Sequence, residues 1–261
     1  GRYWTKQIVL REGMVSKMDQ TLISTVENGL LTMPTYILGR PRLQASLLER
    51  MQAYNVPGVS LAVINNYAFE WAKGYGITDV IQPTPITVDT RFYAASISKP
   101  LAAMAALALV QVGLLDLDED INRKLVWWGV AENGYTHLEK VTLRCLLSHS
   151  AGLEAGSYSG YGSDEAVPTL RQLLEGEPPS NSGPVRVTFV PGSQAVYSGP
   201  GYWVLQQLLE DVTGQPFAVL LDQIVCQRLG LPHSTFHQPL PQVHAVMAAT
   251  GHDASGRPIE E

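Results

Sequence analysis

A serine and a lysine stand three positions apart, at Ser96 and Lys99, at the start of a long apolar run. Residues three apart on a helix share one face, so their side chains can meet. A serine needs a base to become a nucleophile, and a lysine serves as that base when burial lowers its pKa. The spacing therefore indicates Ser-Lys acyl-transfer chemistry. A bare pair is weak evidence, because a helix-capping serine beside a surface lysine has the same spacing.

The apolar run Pro100–Leu115 predicts a helix that starts near Ser96 and carries the pair in its first turn. Pro100 supports that start, since a proline deep in a helix would clash with the carbonyl four residues earlier. The run is apolar on all sides, which is typical of a helix buried in a large core. It is shorter than the ~20 residues of a membrane span. We therefore expect a buried helix and no membrane span.

Strand patterns lie near the start of the chain, and helical patterns dominate its middle. A hairpin is predicted from Val59–Ile64 and Tyr67–Trp71 around a turn at Asn65 and Asn66. Val185–Val190 is predicted as a short strand. Other helices are predicted at 12–29, Pro41–Tyr54, Val141–His149, Pro168–Leu174, Tyr202–Val212 and Phe217–Leu229. Periodicity alone supports an α+β fold.

Composition excludes some function classes. The formal net charge is −6 and only 16% of residues are charged, which argues against a nucleic-acid surface because such a surface needs clustered Lys and Arg. Two cysteines, Cys145 and Cys226, set no disulfide framework. Localisation stays open: periplasmic or secreted if a signal peptide was removed, and otherwise cytoplasmic.

Four stretches resemble segments of one known family, the class C β-lactamase-related serine hydrolases and penicillin-binding proteins. Thr90–Pro100 is similar to the family's nucleophile segment and Gly58–Gly76 to its opening hairpin. Leu146–Leu153 and Tyr197–Tyr202 are similar to two further segments. The order along the chain agrees throughout. The resemblance implies a hydrolase domain over residues 40–261, preceded by a segment of unclear role over residues 1–39.

The resemblance implies a β-lactamase/transpeptidase-like fold, in which an antiparallel sheet is flanked by helices and a helical subdomain, with the active site between sheet and helices. It implies hydrolysis of an amide or ester through an acyl-enzyme on Ser96. Lys99 matches the residue that accepts or relays the serine proton, and Tyr197 the residue that passes a proton to the leaving group. Expected substrates are β-lactams, D-amino-acid peptides or small esters, with no cofactor and no metal. A non-catalytic penicillin-binding or sensor protein is the alternative.

Substrate contacts are expected from four more residues. Many relatives have asparagine two positions after the tyrosine, where its amide contacts the acylamino group of the substrate. Here that position is Gly199, which disfavours a specific β-lactamase more than a general hydrolase. Ser198 is a candidate for some of the lost hydrogen bonding, although a plain loop serine is the simpler interpretation. Tyr158 and Tyr161 lie in a Gly/Ser-rich loop and are candidates for the substrate rim.

Two other patterns are interpreted as structural. His149 stands between two serines, but the chain has no Gly-x-Ser-x-Gly elbow, so a histidine at a helix end is favoured over a Ser-His-Asp triad. Asp116, Asp118 and Asp120 have the first spacings of a calcium loop without its glycine and glutamate, and they indicate a solvated loop.

The family's third motif, a Lys- or His-containing strand that ends in glycine, is not found between Gly201 and Glu261. That span has no lysine, and none of its histidines is followed by glycine within two residues. The sequence therefore predicts that C-terminal strands are missing, and that a C-terminal segment or a second chain completes the sheet.

Overall fold

The computed structural model describes residues 20–31, 44–154, 160–162 and 165–259. The chain divides into two compact units, one formed by residues 1–93 and 239–261 and the other by residues 94–238. The predicted division into segments 1–39 and 40–261 stays a prediction, because much of the first segment lies outside the described residues. The same holds for the first part of the helix predicted at 12–29.

The first unit contains the predicted hairpin. Strands β3 (Gly58–Asn65) and β4 (Ala68–Gly76) pair antiparallel. Asn66 and Tyr67 both have positive φ, 47° and 61°, as in the two-residue turns that match the twist of a hairpin. Tyr67 therefore belongs to the turn rather than to the strand. Among the described residues, each sheet consists of two strands.

A capping box fixes the second helix of this unit. Helix α1 spans Gln20–Asn28, strands β1 (Leu30–Leu31) and β2 (Gln44–Ala45) pair, and α2 spans Leu47–Ala53. Ser46 accepts a hydrogen bond from the Glu49 N–H, and the Glu49 carboxylate accepts one from the Ser46 N–H. The helix predicted from Pro41 therefore starts later, at Leu47, because this reciprocal cap at Ser46 satisfies the free N–H groups of Ser46 and Glu49.

The second unit is helical around one apolar core. Its helices are α3 (Ser98–Gln111), α4 (Leu143–Leu147), α5 (Leu170–Glu175), α6 (Pro200–Thr213), α7 (Phe217–Leu221) and α8 (Gln227–Leu229), with a π-helical turn at Asp222–Cys226; α9 (Gln242–Ala245) belongs to the first unit. The helix predicted over Phe217–Leu229 is thus continuous but contains the wider turn. One or more leucines of α4, α5 and α6 are almost or completely buried: Leu143, Leu146, Leu174, Leu205, Leu208 and Leu209.

The predicted apolar helix packs into the core, but one side of it is exposed. Ala102, Ala105 and Ala106 of α3 are buried, whereas Met104 and Leu107 are 43% and 46% exposed. A helix whose positions are almost all apolar has no polar stripe to mark its solvent face. Its sequence therefore could not distinguish the buried face from the exposed face.

The strand predicted at Val185–Val190 was also wrong. In the described residues its only bridge joins Val187 to Leu153. The Thr188 N–H donates to the Gly152 carbonyl, 2.7 Å away. Gly152 has φ +76°, and a Cβ there would collide with the Phe189 carbonyl oxygen. The segment 185–190 therefore lies close against the turn at Gly152, and a side chain at position 152 would push the segment away from the turn.

Polar side chains that suggested other sites are engaged structurally. Arg144 donates two hydrogen bonds to the Asp118 carboxylate, at 2.7 and 2.8 Å. Asp120 accepts from the Asn122 N–H and caps a short 3₁₀ turn. In the described part of the chain no cluster of three His, Cys, Asp or Glu side chains is arranged to hold a metal ion, and no helix there has the length and apolarity to cross a membrane. Cys145 and Cys226 are not disulfide-bonded.

We expect Leu205→Ala to lower the free energy of unfolding by about 2–5 kcal/mol, because Leu205 on α6 is completely buried and its loss leaves a cavity. The matched control is Leu107→Ala on α3, which removes the same atoms from a half-exposed site and should cost about 1 kcal/mol or less. Urea unfolding followed by circular dichroism measures both. Equal losses would contradict this description of the core.

Candidate active site

A tight turn presents Ser96 at the start of α3. The 3₁₀ turn Ala95–Ile97 runs directly into that helix, and the Ile97 N–H donates to the Ala94 carbonyl at 3.0 Å. Ala95 has φ +43°, in a region that costs a residue with a Cβ roughly 1–2 kcal/mol. Strain of this kind is found at functional sites, where the surrounding structure enforces it. The turn leaves the Ser96 side chain exposed at the helix start.

The structure brings together the three residues predicted to be catalytic. The Lys99 Nζ donates to the Ser96 Oγ at 3.0 Å. The Ser96 Oγ and the Tyr197 hydroxyl are 2.7 Å apart and share a hydrogen bond, although 101 residues separate them. The Lys99 Nζ also lies 5.1 Å from the centre of the Tyr197 ring. A nucleophile, a cation and a phenol therefore meet within direct proton-transfer distance.

The charge of Lys99 acts on the phenol. A hydrogen bond from Lys99 lowers the pKa of Tyr197 below its usual 10.0, and the Ser96 hydrogen bond adds to that effect. Partial burial opposes it, but Tyr197 is 44% exposed, so the opposing effect is small. A phenol with a lowered pKa is a better proton acceptor near neutral pH. The arrangement favours Tyr197 as the base and Lys99 as its stabilising cation.

Two residues of the site were not anticipated from the sequence. His149 lies against Tyr197, with ring centres 4.6 Å apart, and against Tyr202, with ring centres 5.4 Å apart. The Lys99 Nζ lies 5.5 Å from the centre of the Tyr202 ring. The sequence did identify the segments that contain His149 and Tyr202 as similar to the family. That resemblance gave these two side chains no role. His149 does follow a helix end, as predicted, but it also lines the site.

The residues predicted to contact substrate lie in different environments. Ser198 is buried and its hydroxyl accepts from the N–H of Gly201, in the first turn of α6; its placement supports the plain structural interpretation. Gly199 has φ −64°, a conformation open to any residue, so the glycine is not required by the backbone. Tyr161 exchanges hydrogen bonds with Asn181, and its described contacts include none of the three catalytic candidates. Tyr158 lies outside the described residues.

Comparison with known proteins places this geometry in a family. A family model described as Beta-lactamase matches residues 43–260. A β-lactamase of Pseudomonas fluorescens is 27% identical over 216 residues, covering 80% of this chain and 53% of that protein. The esterase EstB of Burkholderia gladioli is 30% identical over 226 residues, covering 84% of this chain and 56% of the esterase.

A solved structure shares the fold. The octameric penicillin-binding protein homologue from Pyrococcus abyssi matches with a TM-score of 0.65 and 27% identity, covering 82% of this chain and 49% of that one. The match confirms the predicted β-lactamase/transpeptidase-like fold. The chain spans about half the length of these relatives.

The Tyr197 phenol should lose its proton at a lower pH than a free tyrosine, because Lys99 stabilises the phenolate. Lys99→Met should raise the pKa of Tyr197 towards or above 10.0, whereas Lys99→Arg keeps a cation and should raise it less. Ultraviolet difference titration of each protein against its Tyr197→Phe counterpart isolates this phenol. The expectation fails if Lys99→Met leaves the titration where it was.

Proposed function

This chain belongs to the beta-lactamase family, and we propose that it is a serine hydrolase that cleaves an ester or amide bond through an acyl-enzyme on Ser96. The observation that carries the proposal is the pair of hydrogen bonds that the Ser96 Oγ makes with the Lys99 Nζ and the Tyr197 hydroxyl. An acyl-enzyme divides one difficult displacement into acylation and hydrolysis, each with a lower barrier.

In acylation, the Ser96 Oγ forms a bond to the substrate carbonyl carbon while its proton passes to the Tyr197 oxygen, 2.7 Å away. The ammonium of Lys99 stabilises the phenolate before transfer and the oxygen of Ser96 as it loses its proton. The backbone N–H of Ser96 is proposed as one donor to the carbonyl oxygen as that oxygen gains charge. Tyr197 then returns the proton to the leaving alcohol or amine as the carbonyl bond to it breaks.

In deacylation, water attacks the carbonyl carbon of the Ser96 ester. Tyr197 takes a proton from the water and gives it to the departing Ser96 Oγ, which restores the starting state. This step needs water beside the ester. The exposure of Ser96 and Tyr197 supports that access.

We propose small esters as the preferred substrate class, with β-lactams and D-amino-acid peptides as weaker substrates. Gly199 offers no side-chain donor for an acylamino group, which both of the weaker classes carry. The Ser198 hydroxyl accepts from the Gly201 N–H, which leaves it poorly placed to replace the missing amide. The 30% identity to the esterase EstB also supports esters.

Ser96 should carry a covalent adduct after treatment with a fluorophosphonate probe, as identified by peptide mass spectrometry. Ser96→Ala should abolish labelling, and Ser148→Ala, which removes an exposed serine of the same unit, should not. An adduct on Ser148 or Ser198 that survives Ser96→Ala would overturn the assignment. A single burst of product without steady turnover would favour the alternative of a penicillin-binding sensor.

Turnover should rank p-nitrophenyl acetate above a chromogenic cephalosporin and a D-alanyl-D-alanine peptide. One missing hydrogen bond to a substrate group costs about tenfold or more in kcat/KM, since an interaction of this kind contributes about 1.5 kcal/mol. Background hydrolysis is measured with Ser96→Ala. A higher kcat/KM for the cephalosporin than for the ester would contradict the proposed preference.

The incomplete sheet supports one further proposal. Strands β3 and β4 pair only with each other among the described residues, and two strands rarely form a stable sheet alone. We therefore keep the proposal that additional strands, from the same protein or from a second chain, complete this sheet.

A further inference from the structure

We propose that His149 is a positioning residue, which holds Tyr197 at the Ser96 hydroxyl and does so only as a neutral imidazole. The inference rests on the function proposed above, because it assigns the control of one of that mechanism's groups. His149 itself is hydrogen-bonded to neither Ser96 nor Lys99 in the described contacts, so its effect must pass through Tyr197.

His149 binds the backbone on both sides of Tyr197. Its carbonyl oxygen accepts from the Val196 N–H at 2.8 Å. Its ring Nδ1 accepts from the Ser198 N–H at 3.2 Å. The residue before and the residue after the tyrosine are therefore held by one histidine. Fixing both neighbours restricts the Tyr197 side chain to rotation about its own two bonds.

The imidazole also supports the Tyr197 ring. The two ring centres are 4.6 Å apart, with an angle of 37° between the planes. The imidazole also lies near the Tyr202 ring, with ring centres 5.4 Å apart. A tilted aromatic pair at this distance is in the attractive range. The contact favours the rotamer in which the phenol oxygen reaches the Ser96 Oγ at 2.7 Å.

The local backbone suits a histidine. His149 has φ +57°, which is disfavoured for most side chains but is several-fold enriched for Asn, Asp and His. The Ser150 N–H donates to the Cys145 carbonyl at 2.8 Å, and the Gly192 N–H donates to the Ser150 carbonyl at 2.7 Å. These bonds hold the turn after α4 against the chain that leads to Tyr197.

The positioning depends on protonation. The Ser198 N–H can donate to Nδ1 only while that nitrogen carries no proton. Burial lowers the pKa of His149 below its usual 6.5, and the charge of Lys99 lowers it further. The titratable groups that face the ring are Lys99 from α3 and Tyr197 and Tyr202 at the start of α6; its described contacts include no carboxylate. At low pH the His149 Nδ1 carries a proton, so it and the Ser198 N–H are both donors and the hydrogen bond between them is lost.

The pH dependence distinguishes this role from simple packing. If Tyr197 must be ionised, log kcat/KM rises with pH at a slope of about 1 below its pKa. Activity has a second requirement, that His149 be unprotonated. Below the pKa of His149, which lies under 6.5, both requirements are lost as the pH falls, so the slope should increase towards about 2. The bend in the profile belongs to His149 and should be absent when residue 149 cannot titrate.

Two variants separate the acceptor from the ring. His149→Asn tolerates positive φ and keeps an oxygen near the position of Nδ1, but it cannot titrate. His149→Phe keeps a ring and loses the acceptor. With p-nitrophenyl acetate at pH 8, we expect His149→Phe to lose about 10²-fold in kcat/KM, the typical effect of a small misplacement of a reacting group. His149→Asn should retain most activity and lose the acidic bend.

The phenol titration provides a measurement that does not require turnover. In His149→Phe the pKa of Tyr197 should rise towards 10.0, because the phenol leaves Lys99, whereas His149→Asn should keep the lowered pKa. Nitrogen-15 chemical shifts of His149 in the unmodified chain should show an unprotonated Nδ1 at pH 7, which tests the proposal even if a variant fails to fold.

The outcomes discriminate between the two proposals. An unmodified chain that neither turns over nor labels at Ser96 would overturn the hydrolase function, while the tyrosine titration would still test the positioning. A Phe variant with the parent's profile and phenol titration would overturn the role of His149 and leave the hydrolase function standing. So would a bend that persists in His149→Asn, or a protonated Nδ1 at pH 7.

Discussion

The hydrogen bond between the Ser96 Oγ and the Tyr197 hydroxyl is the interaction on which the rest of this site depends. It joins positions 101 residues apart, so each side needs its own support. On one side the strained Ala95 turn and α3 fix Ser96 and Lys99 as a unit. On the other, α6 begins at Pro200, and the Ser198 hydroxyl accepts from the Gly201 N–H in the first turn of that helix. The apolar core between these helices holds the two turns close together, so that Ser96 and Tyr197 come within hydrogen-bond distance.

The charge of Lys99 affects the pKa of two neighbouring groups, Tyr197 and His149. Lys99 lowers the pKa of Tyr197, and it adds to the effect of burial, the main cause of the lowered pKa of His149. Both effects of Lys99 have the same sign, because a positive charge favours the deprotonated form of a neighbouring titratable group. Their consequences are complementary. The phenol becomes easier to ionise, and the imidazole stays neutral and able to accept from Ser198. One charge thus prepares the base and maintains the residue proposed to position it.

Sequence alone could identify the three catalytic candidates because the segments around them resemble one family in the same order, although the Ser-Lys spacing by itself was weak evidence. It could identify the hairpin because its alternation and turn were clear. It could not identify the role of His149. That role depends on a backbone bond to Val196, a ring bond to Ser198 and a positive φ, none of which leaves a periodic pattern. The strand predicted at Val185–Val190 failed for a related reason. Its residues are β-rich, but strand formation needs a partner, and in the described residues the segment makes one bridge, between Val187 and Leu153.

The openness of the site explains why positioning matters more here than burial. Ser96 is exposed and Tyr197 is 44% exposed, so water screens the charge of Lys99. In water two unit charges 4 Å apart attract by only about 1 kcal/mol. Tuning of the phenol must therefore come from direct hydrogen bonds, which agrees with their being the largest contributions to its lowered pKa. Hydrogen bonds weaken steeply with distance and angle. The proposed deacylation needs water at this exposed site, so the phenol must be held by contacts that water does not replace. The bonds that His149 makes to the backbone on either side of Tyr197 are the proposed restraint.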